Sequence, residues 1–258
     1  MGKVPIALGM YTVYEDIKAD MAGTFVKLAE MGYGAIEFYG EPEYDVDEVR
    51  RALDRSGLDL CSWHIEWRNV QPETIERTID YLKKVGCSRA IVPCLGGKWN
   101  VAHKPSEERR VLWADYATRL NGISARLKAH GIDLGYHNHE HEFQLVYDGE
   151  RVFDLLFRSL SPEIIMELDT GNAIEGGADP AGVLRTYSGR PVLLHCKPFS
   201  LDAGFDTVLG ALDDRNDWKG ILDAGRQDFL ALIVESESRV GSGLENARAC
   251  LDGLRRFL

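Results

Sequence analysis

No stretch of this sequence reaches the roughly 18 consecutive apolar residues that a membrane-spanning helix needs. Its start, Met1-Gly2-Lys3-Val4-Pro5-Ile6, carries neither the apolar run nor the small-residue cleavage site of an export signal. The expected setting is the cytoplasm. Cysteine is sparse: Cys61, Cys87, Cys94, Cys196 and Cys250 are odd in number and contain no Cys-x-x-Cys pair, which excludes a disulfide framework and a thiolate zinc site and leaves them as small buried hydrophobes. Basic charge is also short, with 30 Lys and Arg against 41 Asp and Glu and a net charge of −11. Gathering nucleic-acid phosphates or an anionic membrane surface requires clustered Lys and Arg, so neither partner is expected. No Gly-x-Gly-x-x-Gly follows the first apolar run, so a dinucleotide would lack its phosphate cradle.

What is present is an ordinary globular composition, 45% hydrophobic and 28% charged, enough for a sizeable core. A length of 258 residues suits one α/β barrel as a single domain over 1–258. Four times a helical pattern stops at a glycine and an apolar run follows: at Gly32 before Ala35-Ile36-Glu37-Phe38, at Gly57 before Leu58-Asp59-Leu60-Cys61, at Gly86 before Ala90-Ile91-Val92, and at Gly131 before Ile132-Asp133-Leu134. The residue after a helix often turns left-handed, where a β-carbon is strained, so glycine marks the stop. Asp45 and Glu48 are spaced as a capping box at the start of the second helix. Further apolar runs at Val4 to Leu8, Ile164 to Leu168, Val192 to Leu194 and Leu230 to Val234 bring the strands to eight. Helix and strand alternating eight times predict a closed (β/α)8 barrel rather than an open doubly wound sheet. Longer loops are expected at 95–107 and 198–218, after strands four and seven.

The strand ends carry the chemistry. Glu37 closes strand two, Trp63-His64 strand three, Tyr136-His137-Asn138-His139 with Glu142 beyond strand five, Glu167-Leu168-Asp169 strand six, His195-Cys196-Lys197 strand seven, and Glu235 strand eight. In a barrel all these ends face one mouth, so residues far apart in sequence converge. Carboxylate oxygens and an imidazole suit a hard or borderline divalent cation. The expected ligands are Glu142, Asp169, His195 and Glu235, holding one ion, Mn2+ by preference, with Mg2+, Co2+ or Zn2+ as alternatives. Asp169 is followed by Thr170-Gly171-Asn172, a pattern equally suited to an Asx turn. The strand-five ligand is open between Glu142 and the neighbouring His137 and His139. Those two histidines share a strand face, whereas His141 reads as exposed. His64, His139, Lys197, Glu37 and Trp99 are the expected substrate contacts. Glu37 and Glu167 could also orient a histidine or lysine, and the partner of Lys197 is open among Glu235, Glu167 and a substrate oxygen.

At these residues the chain resembles the sugar phosphate isomerase/epimerase family, the xylose isomerase-like TIM barrels. The resemblance rests on Leu8-Gly9-Met10-Tyr11, Tyr136-His137-Asn138-His139 with Glu142-Phe143, Glu167-Leu168-Asp169-Thr170-Gly171-Asn172, His195-Cys196-Lys197 and Ile233-Val234-Glu235. It implies a cation bound by Glu, Asp, His and Glu from strands five to eight, with two glutamates moving protons on opposite faces of a sugar. Asp169, His195 and Glu235 match that pattern. Strand five departs from it: the usual glutamate would fall near His137, so the carboxylate would come from Glu142. Pro198 also stands where an acid usually follows the lysine.

The expected function is a divalent-metal-dependent isomerase or epimerase acting on a sugar or cyclitol by proton abstraction next to a carbonyl, through a metal-stabilised enediolate. Glu235 or Glu142 would be the base, and His137 or His64 would carry the proton onward. A dehydratase or lyase acting on a keto-sugar or keto-inositol is the alternative. A non-catalytic sugar-binding barrel and an endonuclease IV-like phosphodiesterase rank lower, the latter because it needs more metal ligands and a basic groove. The expected partner is a small-molecule substrate, and self-association into a homo-oligomer is compatible with the sequence.

Overall fold

The computed structural model describes residues 4–40, 44–95 and 106–258, with 106–109 described by their backbone alone. Eight parallel strands close into a barrel: β1 (Ile6–Gly9), β2 (Ala35–Phe38), β3 (Asp59–His64), β4 (Arg89–Val92), β5 (Asp133–His137), β6 (Ile165–Asp169), β7 (Val192–Cys196) and β8 (Phe229–Val234). Each strand pairs with its sequence neighbours, and β8 pairs back onto β1 through Ile6 with Leu232 and Leu8 with Val234. All eight strands fall on the apolar runs, because a strand buried on both faces must be apolar throughout.

Helices α1 (Tyr14–Met31), α2 (Val46–Ser56), α3 (Ile75–Val85) and α4 (Ser106–Lys128) separate the first five strands. Gly32, Gly57 and Gly86 are their left-handed C-caps or follow them directly, at φ 98°, 73° and 82°, and Gly131 has φ 75°. The Asp45 side chain caps α2 by accepting from Glu48 N at 2.8 Å. α1 begins well before the expected Phe25 and breaks at Asp20, whose extended backbone interrupts the helix. The later crossovers are α5 (His141–Gln144), α6 (Val152–Ser159), α7 (Thr170–Glu175), α8 (Pro180–Thr186), α9 (Trp218–Gly225) and α10 (Gly243–Arg255), with an unforeseen two-stranded hairpin pairing Val146–Tyr147 with Glu150–Arg151.

Two-residue alternation along the strands builds the site in layers. Ala7, Ala35, Cys61, Ile91, Ile165, Leu193, Ala231 and Ile233 form one apolar cluster, small enough in part to fit a barrel interior. Two residues on from Ala35, Ile165, Leu193 and Ile233 come Glu37, Glu167, His195 and Glu235. Gly135 belongs to the apolar layer because a β-carbon there would meet Ile91 Cδ1 at 2.5 Å, and His137 follows it two residues later. The switch from apolar to ionisable side chains marks the C-terminal mouth.

Candidate active site

Glu37, His137, Glu167, Asp169, His195, Lys197 and Glu235 are buried at this mouth, and His64 and His139 are partly buried. His195 is the hinge between two groups. Its Nε2 donates to Glu37 Oε1 at 2.7 Å and lies 3.4 Å from Glu167 Oε2. Its Nδ1 lies 3.2 Å from Glu235 Oε2 and 3.9 Å from Asp169 Oδ2. Neither His195 Nδ1 nor Asp169 Oδ2 makes a hydrogen bond, although both are buried. A carboxylate on Nε2 holds an N–H there, so a cation that displaces the Nδ1 proton would meet a lone pair at Nδ1.

Asp169 makes the turn that its sequence context offered and keeps one oxygen without a hydrogen bond. Its Oδ1 caps α7 by accepting from Asn172 N at 2.8 Å, while Oδ2 is left for the mouth. One donor atom each from Asp169, His195 and Glu235 lies within 4.8 Å of the others, which makes these three able to share one cation. The unpartnered oxygen and nitrogen, both buried, and the all-O/N donor set fit a divalent ion. Gly9 makes room for Glu235: a β-carbon there would approach Glu235 Oε2 to 3.1 Å.

A second group, His64, His137, Glu167 and His195, also has donor atoms within 4.8 Å of one another. Several of its atoms are engaged with one another, although Glu167 Oε1 is buried without a hydrogen bond. His64 Nε2 donates to Glu167 Oε2 at 2.6 Å and lies 3.2 Å from Glu37 Oε1, and His137 Nδ1 reaches the same Glu167 oxygen at 3.0 Å. Burial opposes charge on His64, but attraction to Glu37 and Glu167 outweighs it and pushes its pKa up to about 10. Burial, with Glu37 beside it, lifts Glu167 to about 8, while the His64 and His195 charges hold Glu37 well below the ordinary carboxylate range despite its own burial. His137, desolvated and facing other imidazoles, is held well below its ordinary value and stays neutral.

Lys197 sits over the carboxylates. Its Nζ lies 3.4 Å from Glu235 Oε1 and 3.7 Å from Asp169 Oδ2, and it donates to Glu237 Oε1 at 2.5 Å. Burial raises Glu235, yet Lys197 and His195 bring it down to about 2, so it is ionised. Of the partners considered for Lys197, Glu235 is adjacent and Glu167 is not among its ion pairs; Glu237, in the segment after β8, was not foreseen.

Glu142 lies apart from both groups. Buried in the one-turn α5, its Oε1 accepts from Tyr136 OH, its Oε2 accepts from His139 N at 2.8 Å, and His141 Nε2 stands 3.1 Å away. His141 is buried, contrary to the exposed position expected of it, because α5 turns it inward onto Glu142 and the Leu95 carbonyl. His139 has an unpartnered buried Nδ1 and lines the cavity of about 310 Å3 that also holds His64, His137 and Glu235. Trp99 lies outside the described residues. Asn138, also unforeseen, clamps β5 to β6: its Oδ1 accepts from Asp169 N at 3.0 Å and its backbone carbonyl accepts from Asn172 Nδ2 at 3.1 Å. Among the described residues no helix is long and apolar enough to cross a membrane.

Comparison with known proteins agrees with this architecture. An inosose dehydratase of Geobacillus kaustophilus (strain HTA426) is 29% identical over an alignment of 188 positions, and the match covers 66% of this chain. The match spans 59% of that relative's length. A sugar phosphate isomerase/epimerase from Parabacteroides distasonis ATCC 8503 superposes with a TM-score of 0.77 at 21% identity, covering 100% of this chain and 96% of that one. A D-psicose 3-epimerase studied with D-fructose superposes at 0.68 with 17% identity, covering 98% of this chain and 99% of the other; at such identities the likeness is one of fold. Residues 25–224 match the family model described as xylose isomerase-like TIM barrel, and the chain belongs to that family.

Proposed function

We propose that this protein is a metal-dependent lyase of the dehydratase type, removing a proton next to a carbonyl of a keto-sugar or keto-cyclitol and expelling an oxygen from the neighbouring carbon. The observation that carries this reading is the unlike pair of groups lining the inner cavity: the Glu235 carboxylate, kept ionised beside Lys197, and the His64 imidazole, kept protonated by Glu37 and Glu167. One is a base, the other an acid, as elimination requires. The inosose dehydratase likeness points the same way.

Asp169, His195 and Glu235 would hold the cation. Bound there, it would polarise the carbonyl and an adjacent hydroxyl as a Lewis acid and so favour loss of the proton. Two carboxylates and an imidazole accommodate Mn2+, the preferred ion, and Mg2+, Co2+ or Zn2+ as well. Glu235 takes the proton, His64 gives one to the departing oxygen, and His139 Nδ1 receives a substrate hydroxyl. Lys197 keeps the carboxylates ionised as substrate displaces water.

Isomerisation or epimerisation, ranked first on sequence, is the second reading. It is favoured by the neutral His137 and His139, either of which can take up the proton removed by Glu235 and pass it back to carbon. It is weakened by Glu142, whose carboxylate is occupied by Tyr136, His139 and His141 instead of facing Glu235 across a substrate. Mass spectrometry of products from a panel of inososes and keto-sugars separates the two. Loss of one water supports the lyase, an isomer of unchanged mass supports the epimerase, and no product with any member supports a non-catalytic sugar-binding barrel.

A further inference from the structure

Lys197 brings a positive charge among the carboxylates of the mouth, and its contacts fall on two sides. On one side are two of the residues assigned to the cation: Nζ lies 3.4 Å from Glu235 Oε1 and 3.7 Å from Asp169 Oδ2, and this Asp169 oxygen makes no hydrogen bond. On the other are its hydrogen-bond acceptors, Glu237 Oε1 at 2.5 Å and Asn172 Oδ1 at 3.3 Å, with the Phe205 ring centre 4.3 Å from Nζ. A carboxylate, an amide oxygen and an aromatic face satisfy an ammonium without help from Glu235 or Asp169.

The second side is held in place by its own contacts. Asn172 Nδ2 donates to the Asn138 carbonyl at 3.1 Å, which turns Oδ1 toward Nζ. Gly171 leaves room for the lysine stem: a β-carbon there would approach Lys197 Cγ to 3.0 Å. The segment that carries Glu237 is fastened on both sides of it. Ser236 N donates to Thr12 Oγ1 at 3.0 Å, and Arg239 N donates at 2.7 Å to Oδ1 of Asp206, the neighbour of Phe205. The Lys197 side chain is buried, so solvent does little to screen its charge from the Glu235 and Asp169 oxygens.

An ammonium and a divalent cation cannot share these oxygens freely, because like charges about 4 Å apart repel strongly enough, even in a water-like medium, to change an affinity about tenfold. We propose that Lys197 competes with the divalent cation for Glu235 and Asp169, and that Glu237, with Asn172 and Phe205, is the dock that draws the ammonium aside and admits the ion. This rests on the assignment of Asp169, His195 and Glu235 as holders of the cation under the proposed function, and it gives that site its regulation. How firmly Glu237 holds Lys197 sets how tightly the ion binds. Glu237 is thus a positioning residue that acts on the ion through Lys197.

The test is a double-mutant cycle on Mn2+ affinity, read by titration calorimetry on the full chain without substrate, at about pH 8.5 so that protons do not compete for the carboxylates. Lys197→Met should bind Mn2+ about tenfold more tightly than wild type. Glu237→Gln keeps the shape of the dock but weakens its hold, so Lys197 falls back on Glu235 and Asp169 and the affinity should drop about tenfold. In the Lys197→Met background the same substitution removes only the charge of Glu237, and the drop should be smaller by at least about threefold. A structural effect of Glu237, or attraction of its own charge for the ion, gives the same drop in both backgrounds; drops that differ by less than about threefold overturn the proposal. An affinity of Lys197→Met no tighter than wild type also overturns it. If circular dichroism shows Lys197→Met unfolded, Lys197→Gln takes its place in both arms. Wild type that binds no Mn2+ overturns the cation assignment and this proposal together, whereas binding without the coupling overturns this proposal alone.

Discussion

His195 and Glu37 lie 158 residues apart in the chain, yet His195 Nε2 donates to Glu37 Oε1 at 2.7 Å. This one contact turns the other ring nitrogen toward Asp169 and Glu235. Replacing Glu37 by Gln keeps the size and removes the charge that orients the ring. Affinity for Mn2+ should fall about 10- to 100-fold, as is usual when such a supporting carboxylate is lost. Titration calorimetry checks this, and an unchanged affinity would mean that Glu37 does not position the ligand.

His195→Ala removes a nitrogen from the group of possible ligands. The metal-to-protein ratio after dialysis against a limiting Mn2+ buffer should drop well below that of wild type, with the far-ultraviolet circular dichroism unchanged. A wild-type ratio would take His195 out of the ligand set.

Metal binding should release protons. Burial disfavours the charged form of His195, but Glu167 and Glu37 more than reverse this and raise its pKa well above the ordinary value, so the metal-free ring is protonated at neutral pH. Burial lifts Asp169 to about 6 against the opposing charge of Lys197, so it too holds a proton below that pH. A cation displaces these protons, and its apparent affinity therefore rises with pH, about tenfold per unit for each proton released. Calorimetry in two buffers of different ionisation enthalpy counts them. An affinity independent of pH contradicts the assignment.

Glu142 discriminates a brace from a ligand. Its oxygens take hydrogen bonds from Tyr136 OH and His139 N in a fully buried setting. Glu142→Ala should destabilise the fold by about 1–3 kcal/mol through stranded donors, measured by urea denaturation of the metal-free protein. Stability equal to wild type, together with lost Mn2+ binding, would restore Glu142 to the metal.

The barrel was legible because its local signals agree. Gly32, Gly57, Gly86 and Gly131 stop helices where only a left-handed residue fits, and each apolar run that follows is a strand. The strand-end residues were legible through two-residue alternation, which carries Glu37, Glu167, His195 and Glu235 inward from an apolar layer. Glu237 was not legible, because it lies past Val234, where β8 ends and strand alternation no longer applies. Glu142 and His141 were not legible, because their direction depends on one turn of helix that folds His141 under Leu95, and no periodicity extends across so short an element. The pairing of Glu37 with His195 depends on barrel closure, which sequence spacing does not report.

The central claim is that Glu235 removes a proton from carbon next to a carbonyl. NMR in heavy water with the Mn2+-loaded protein and a panel of inososes and keto-sugars measures this directly. Wild type should place deuterium at the carbon beside the carbonyl of at least one member, and Glu235→Gln, equally folded, should not. Exchange by Glu235→Gln at the wild-type rate would contradict the account.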